Sequence, residues 1–286
     1  MNASAGQTQY ADIAGGRIAY DVIGEGPLVV LSPGMADLRN TYRFLAPLLA
    51  EAGYRVASVD LRGHGDSSAG WDSYDVADTG SDLVEIIRQL GGPAVLVGQS
   101  FSAGAATIAA ASNPELVTAV VEIAPFTRPP KFSLGAMLRD GTYRRGALLL
   151  AQVALAGSVA AWGKYLGVAY PGQKPRDWDS YLAAVLSNLS EPDRMKAARG
   201  MINASKAEAG ARLADVKRPV LVLMGSKDSD FANPQAEAAA IVDLLPSGVG
   251  RYQMIEGAGH YPHAQYPQAV ADAILPFLAD HAPASR

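Results

Sequence analysis

The chain contains no cysteine. Disulfides, thiolate nucleophiles and cysteine-ligated zinc are excluded, which leaves oxygen nucleophiles and lysine for any covalent chemistry. Charge is sparse as well. Charged residues make up 18% of the chain, and 28 acidic against 24 basic side chains give a net charge of −4. That balance offers no basic footprint for a phosphate backbone, so nucleic acid is not expected as a partner. No uninterrupted apolar run reaches the roughly 20 residues needed to span a bilayer, so no stable membrane insertion is expected. Residues 1–10, MNASAGQTQY, lack the basic start and apolar core of a signal peptide, and the expectation is a cytoplasmic protein.

What is present is patterned. Hydrophobic residues at 49% over 286 positions describe an ordinary globular protein with a substantial core. Strand-like runs at residues 17–22, 28–31, 54–59, 94–97 and 117–123 alternate with helical stripes such as Leu83, Ile86, Ile87 and Leu90. This alternation is the pattern of a mostly parallel sheet flanked by helices. It resumes at 219–224 and 251–255, with helical patterns at 235–245 and 267–278. Between lie some ninety residues with helical pattern and no convincing strand, far longer than an ordinary connection. The expected organisation is an α/β core from residues 1–125 and 218–286, with a helical cap at 126–217. Inside the cap, the apolar stretch 147–162 reads as one buried helix, and Trp162, Trp178, Tyr165 and Tyr181 point to a moderately hydrophobic small-molecule substrate.

The segment 95–106, VLVGQSFSAGAA, runs from a buried strand into a small-residue helix and carries two serines. A serine nucleophile at such a junction is usually found in GxSxG, with small neighbours two positions away because the turn is sharp and strained. Ser100 satisfies this with Gly98 before it and Ser102 in place of the second glycine. The apolar run stops at Val97, so Ser100 falls in the turn, whereas Ser102 lies within the first helical turn. Ser100 is the expected nucleophile. The backbone N–H of Phe101, at the helix start, is placed to donate to an oxyanion.

Residues 95–125 resemble the nucleophile-elbow region of the α/β-hydrolase superfamily without a gap. VDLRGHGDSS at 59–68 resembles that family's DxRGxGxS turn, and LSPGM at 31–35 occupies the place of its oxyanion loop. VLVLMGSKDSDF and IEGAGHYPHAQYP resemble its acid and histidine segments. The implied fold is the α/β-hydrolase fold. A serine hydroxyl needs a base, and two of the four histidines, His260 and His263, share the loop after the last strand; His64 follows an early strand and His281 sits in the tail. The resemblance favours His260. It also favours Asp228, at the family's GxxD spacing, as the orienting carboxylate, with Asp230 the alternative. By the same resemblance the Met35 N–H is the second oxyanion donor, although Pro33 stands where the family usually has histidine.

These residues imply acyl transfer: Ser100 attacks an ester-like carbonyl, His260 shuttles the proton, and water releases the acyl group. A serine at the elbow, where epoxide hydrolases and haloalkane dehalogenases of the family carry aspartate, argues against those activities. Carboxylesters, lactones and thioesters fit the triad. Perhydrolase (haloperoxidase-type) activity, C–C bond hydrolysis, proline iminopeptidase activity and a non-catalytic ligand-binding role are the alternatives. No cofactor is expected; the HxxH spacing of His260 and His263 lacks a third ligand, so no metal is expected either. The acidic limb of activity is expected near the free-imidazole value of about 6.5, and a homo-oligomer is left open.

Overall fold

The computed structural model describes residues 7–129 and 132–282. Eight strands form one sheet: β1 Gln9–Ile13, β2 Gly16–Ile23, β3 Leu28–Ser32, β4 Arg55–Val59, β5 Ala94–Gln99, β6 Val117–Ile123, β7 Val220–Gly225 and β8 Gly250–Ile255. Their spatial order is β1-β2-β4-β3-β5-β6-β7-β8. β1/β2 and β2/β4 pair antiparallel, and all other pairs are parallel. Every residue of β3, β5 and β7 is buried, which is why these strands read as unbroken apolar runs rather than alternating ones. β1 went unseen in the sequence because QYADI has a single buried position and belongs to an edge.

Helices α1 Leu45–Glu51, α2 Val76–Gln89, α3 Phe101–Ser112, α10 Pro234–Val242, α11 Pro262–Gln265 and α12 Pro267–His281 belong to the core sequence segments. Between β6 and β7 come α4 Leu134–Arg139, α5 Gly141–Ala156, α6 Val159–Ala169, α7 Trp178–Leu189, α8 Arg194–Asn203 and α9 Ala207–Arg212, with no strand among the described residues. No described helix is long and apolar enough to cross a membrane.

The stretch 147–162 is two helices, not one. Gly157 takes a left-handed conformation (φ 63°), which glycine adopts without a Cβ clash, and ends α5. Ser158 then caps α6 by accepting from the Ala161 N–H. Nor is the stretch buried throughout, since Leu148 and Leu155 are exposed.

Two apolar clusters result. The larger lies on both faces of the sheet. The smaller joins Trp162, Tyr165, Tyr170, Tyr181 and Val185 of the helical segment to Ala36 and Tyr261 of loops at the strand ends and to Ala264 of α11. Full burial of each large side chain is worth about 1.5–3 kcal/mol. The helical segment is therefore packed onto the segments that follow β3 and β8.

Candidate active site

β3 is the point where the strand order reverses, since the chain moves from it to β4 on one side and then crosses from β4 to β5 on the other. In open α/β sheets, crevices form beyond the carboxyl ends of strands at such a reversal. The register places Ser32, the last residue of β3, beside Gly98 of β5. The loop after β3 and the turn after β5 are thus neighbours by construction.

Ser100 follows β5 directly, with φ 54° and ψ −115°. Non-glycine residues rarely adopt positive φ, and the surroundings must hold it there. The Ser100 N–H donates to the Ile123 carbonyl at 2.9 Å, and its carbonyl accepts from Ala103 and Phe126, each at 3.1 Å. Gly98 allows the sharp reversal, because a Cβ there would collide with the Ser102 carbonyl. Ser100 opens into a cavity of about 360 Å³ whose walls include Met35, Phe101, Phe126, Leu150 and Lys206. Neither the Met35 nor the Phe101 N–H finds an acceptor among the described residues. A larger cleft beside Trp71 and Arg62 contains none of these groups.

Asp228 and His260 meet. Nδ1 of His260 donates to Oδ2 of Asp228 at 2.9 Å, and both side chains are buried. Since a carboxylate only accepts, this contact places the proton on Nδ1 and leaves Nε2 free for a partner. The His260 main chain is pinned too: its N–H donates to the Ala169 carbonyl at the end of α6, and its carbonyl accepts from Nε2 of Gln99 at 3.0 Å. Gln99, the residue before Ser100, therefore holds the backbone of His260.

Asp230 meets the other nitrogen of the ring. Its Oδ2 lies 3.7 Å from Nε2 of His260 and accepts a 2.6 Å hydrogen bond from the Tyr165 hydroxyl. The Ser100 hydroxyl makes no hydrogen bond among the described residues, so Nε2 faces a second carboxylate in this conformation. Burial disfavours charging of His260, but the two carboxylates outweigh it and push its pKa up to about 9. That is well above the value of about 6.5 expected from the sequence. Burial likewise raises the Asp230 carboxyl, with His260 opposing. One donor atom each from Asp228, Asp230 and His260 lies within 4.8 Å of the others, yet Nδ1 and Oδ2 are already spent on one another.

His263 is placed elsewhere. Its Nε2 meets the Thr41 hydroxyl at 2.9 Å and its ring packs on Tyr42, while burial drives its pKa down to about 3. It is a neutral core histidine. His64 has a role that its motif alone did not disclose: Nε2 accepts from the Ala36 N–H at 2.9 Å, while Nδ1 meets the Arg62 carbonyl. Burial lowers its pKa to about 4, so it stays neutral and can accept. Arg62 is itself clamped to Asp82 by two 2.7 Å bonds. Ser102, seen in sequence only as a small neighbour, donates to the Pro33 carbonyl and accepts from the Ser32 hydroxyl at 3.0 Å. Trp162, Trp178, Tyr165 and Tyr181, expected as pocket aromatics, are absent from the cavity walls among the described residues and pack in the second cluster.

A family described as "Alpha/beta hydrolase family" matches residues 29–273. The chain belongs to it. A 2-(acetamidomethylene)succinate hydrolase of Mesorhizobium japonicum is 28% identical over 271 residues, spanning 92% of each chain. An esterase of Exiguobacterium antarcticum superposes with a TM-score of 0.77 at 20% identity, over 96% of this chain and 99% of that one. A bromoperoxidase from Bacillus anthracis gives 0.77 at 22% identity, over 96% and 100%. The structural likenesses establish the α/β-hydrolase fold; family and named relatives together support hydrolase activity. Within the family frame, the loop carrying Pro33 in place of histidine is held at three points: by Tyr42 on the Ser32 carbonyl (2.8 Å), by Ser102 on the Pro33 carbonyl and by His64 on the Ala36 N–H.

Proposed function

We propose that this alpha/beta hydrolase cleaves an ester-like bond of a small substrate through an acyl-enzyme on Ser100. The observation that carries the reading is the strained Ser100 turn opening on the same cavity as the two unpartnered amides of Met35 and Phe101. Ser100 Oγ attacks the substrate carbonyl as its proton passes to His260 Nε2, and the negative oxygen of the tetrahedral intermediate accepts from those amides. Asp228 keeps the proton on Nδ1 and stabilises the imidazolium that forms. The imidazolium returns its proton to the departing alkoxide, and water repeats the sequence to release the acid. A hydroxyl rather than a carboxylate at position 100 favours this route over alkyl-enzyme chemistry.

The test is labelling with a fluorophosphonate followed by peptide mapping. Ser100 is expected to carry the label, and Ser100→Ala to lower ester hydrolysis by roughly 10⁴- to 10⁶-fold. Labelling at Ser102, or none, would overturn the assignment.

A further inference from the structure

Lys206 stands out in the cavity described above, whose other described walls are apolar or hydroxylic. Its ammonium donates to the carbonyls of Met201 (3.0 Å), Ile202 (2.9 Å) and Ala204 (2.7 Å) around the end of α8. Three fixed acceptors take the three N–H donors and hold a normally flexible four-carbon stem in one place, and the partial negative charge of the α8 C-terminus offsets only a fraction of the full positive charge. Among the described residues no carboxylate comes within ion-pair distance of it. Burial lowers its pKa to about 8, as expected for a cation withdrawn from water with no carboxylate beside it. A half-buried cation without a full counter-charge is costly, and a cavity wall is where a ligand can supply the missing negative charge. Apart from the Met35 and Phe101 amides beside Ser100, the side chains of Met35, Phe101, Phe126 and Leu150 offer an anion nothing, so a charged group remote from the scissile carbonyl settles at Lys206.

From this we infer that Lys206 is the anion-binding group of the Ser100 cavity, and that the substrate is an ester bearing a carboxylate remote from the scissile bond. The inference rests on Ser100 being the nucleophile. Lys206 positions the acyl chain by its far end, and the apolar walls accept the methylenes between the two groups.

The experiment compares the monoethyl esters of succinic, glutaric and adipic acids with the ethyl esters of the matching half-amides, which keep shape and lose charge. Ethanol release gives kcat/KM for the wild type, Lys206→Met and Lys206→Arg. The wild type is expected to prefer at least one carboxylate ester over its half-amide by roughly 10- to 100-fold. Lys206→Met brings that ratio close to one, and Lys206→Arg retains part of it. A ratio near one for all three wild-type pairs overturns the inference. So does an equal loss on both members of a pair in Lys206→Met, the result expected if the ammonium only closes the end of α8. Should Ser100 fail to label and no ester be cleaved, calorimetry with the three free dicarboxylates still decides: binding that is lost in Lys206→Met supports the subsite, and no binding to the wild type rejects it.

Discussion

The Ser102 hydroxyl donates to the carbonyl of Pro33, so the residue that departs from GxSxG is bonded to the residue that departs from the usual oxyanion loop. Ser32 Oγ completes the link at 3.0 Å. The hydroxyl ties the start of α3 to the loop that carries the Met35 amide. Ser102→Ala and Ser102→Gly are predicted to lower kcat by roughly 10- to 100-fold with KM nearly constant, because oxyanion alignment matters most in the transition state. Thermal or denaturant unfolding should show a loss of about 1–3 kcal/mol from the unsatisfied carbonyl. A change confined to KM would reject the link.

In the proposed mechanism His260 must be neutral to accept the Ser100 proton. With its pKa raised to about 9 by Asp228 and Asp230, kcat/KM is predicted to keep climbing from pH 7 through pH 8. Stability moves the other way. The raised folded-state pKa adds stability that is complete below the unfolded value of about 6.5 and is lost as pH rises through about 9. A pH–rate profile already flat by pH 7, measured beside melts across the same range, would show that the second carboxylate does not act on the ring.

Asp230 is separable from Asp228 by position. Asp230→Asn removes the charge 3.7 Å from Nε2 while leaving the Nδ1 contact intact, and is predicted to move the rising limb down by roughly 1–2 pH units. Asp228→Asn deprives the ring of its orienting acceptor, and kcat is predicted to drop by roughly 10⁴-fold. Equal effects of the two variants on kcat, without a shift of the limb, would contradict this division of roles.

Gly98→Ala tests the turn itself. The added methyl meets the Ser102 carbonyl, a main-chain atom that cannot swing away. Destabilisation of about 1–3 kcal/mol is predicted, with loss of Ser100 labelling in the fraction that remains folded. Wild-type stability and labelling in this variant would mean that the turn has slack.

Sequence alone determined much of this protein. The buried runs of β3, β5 and β7 announce a parallel sheet because strands covered on both faces have few polar positions to confuse the pattern. The placement of Ser100, Asp228 and His260 was legible because each follows a strand end in a short loop, where local spacing fixes position. The break of α5 from α6 at Gly157 was also present in the letters but was outweighed by the apolar run around it. What tertiary structure alone decided are contacts between residues far apart in the chain: Ser102 with Pro33, His64 with Ala36, Asp230 with the second nitrogen of His260, and Lys206 in the wall of the Ser100 cavity. The physical reason is that periodicity reports which face of an element is buried, whereas a hydrogen bond or a charge in a cavity depends on which loops the sheet order makes neighbours.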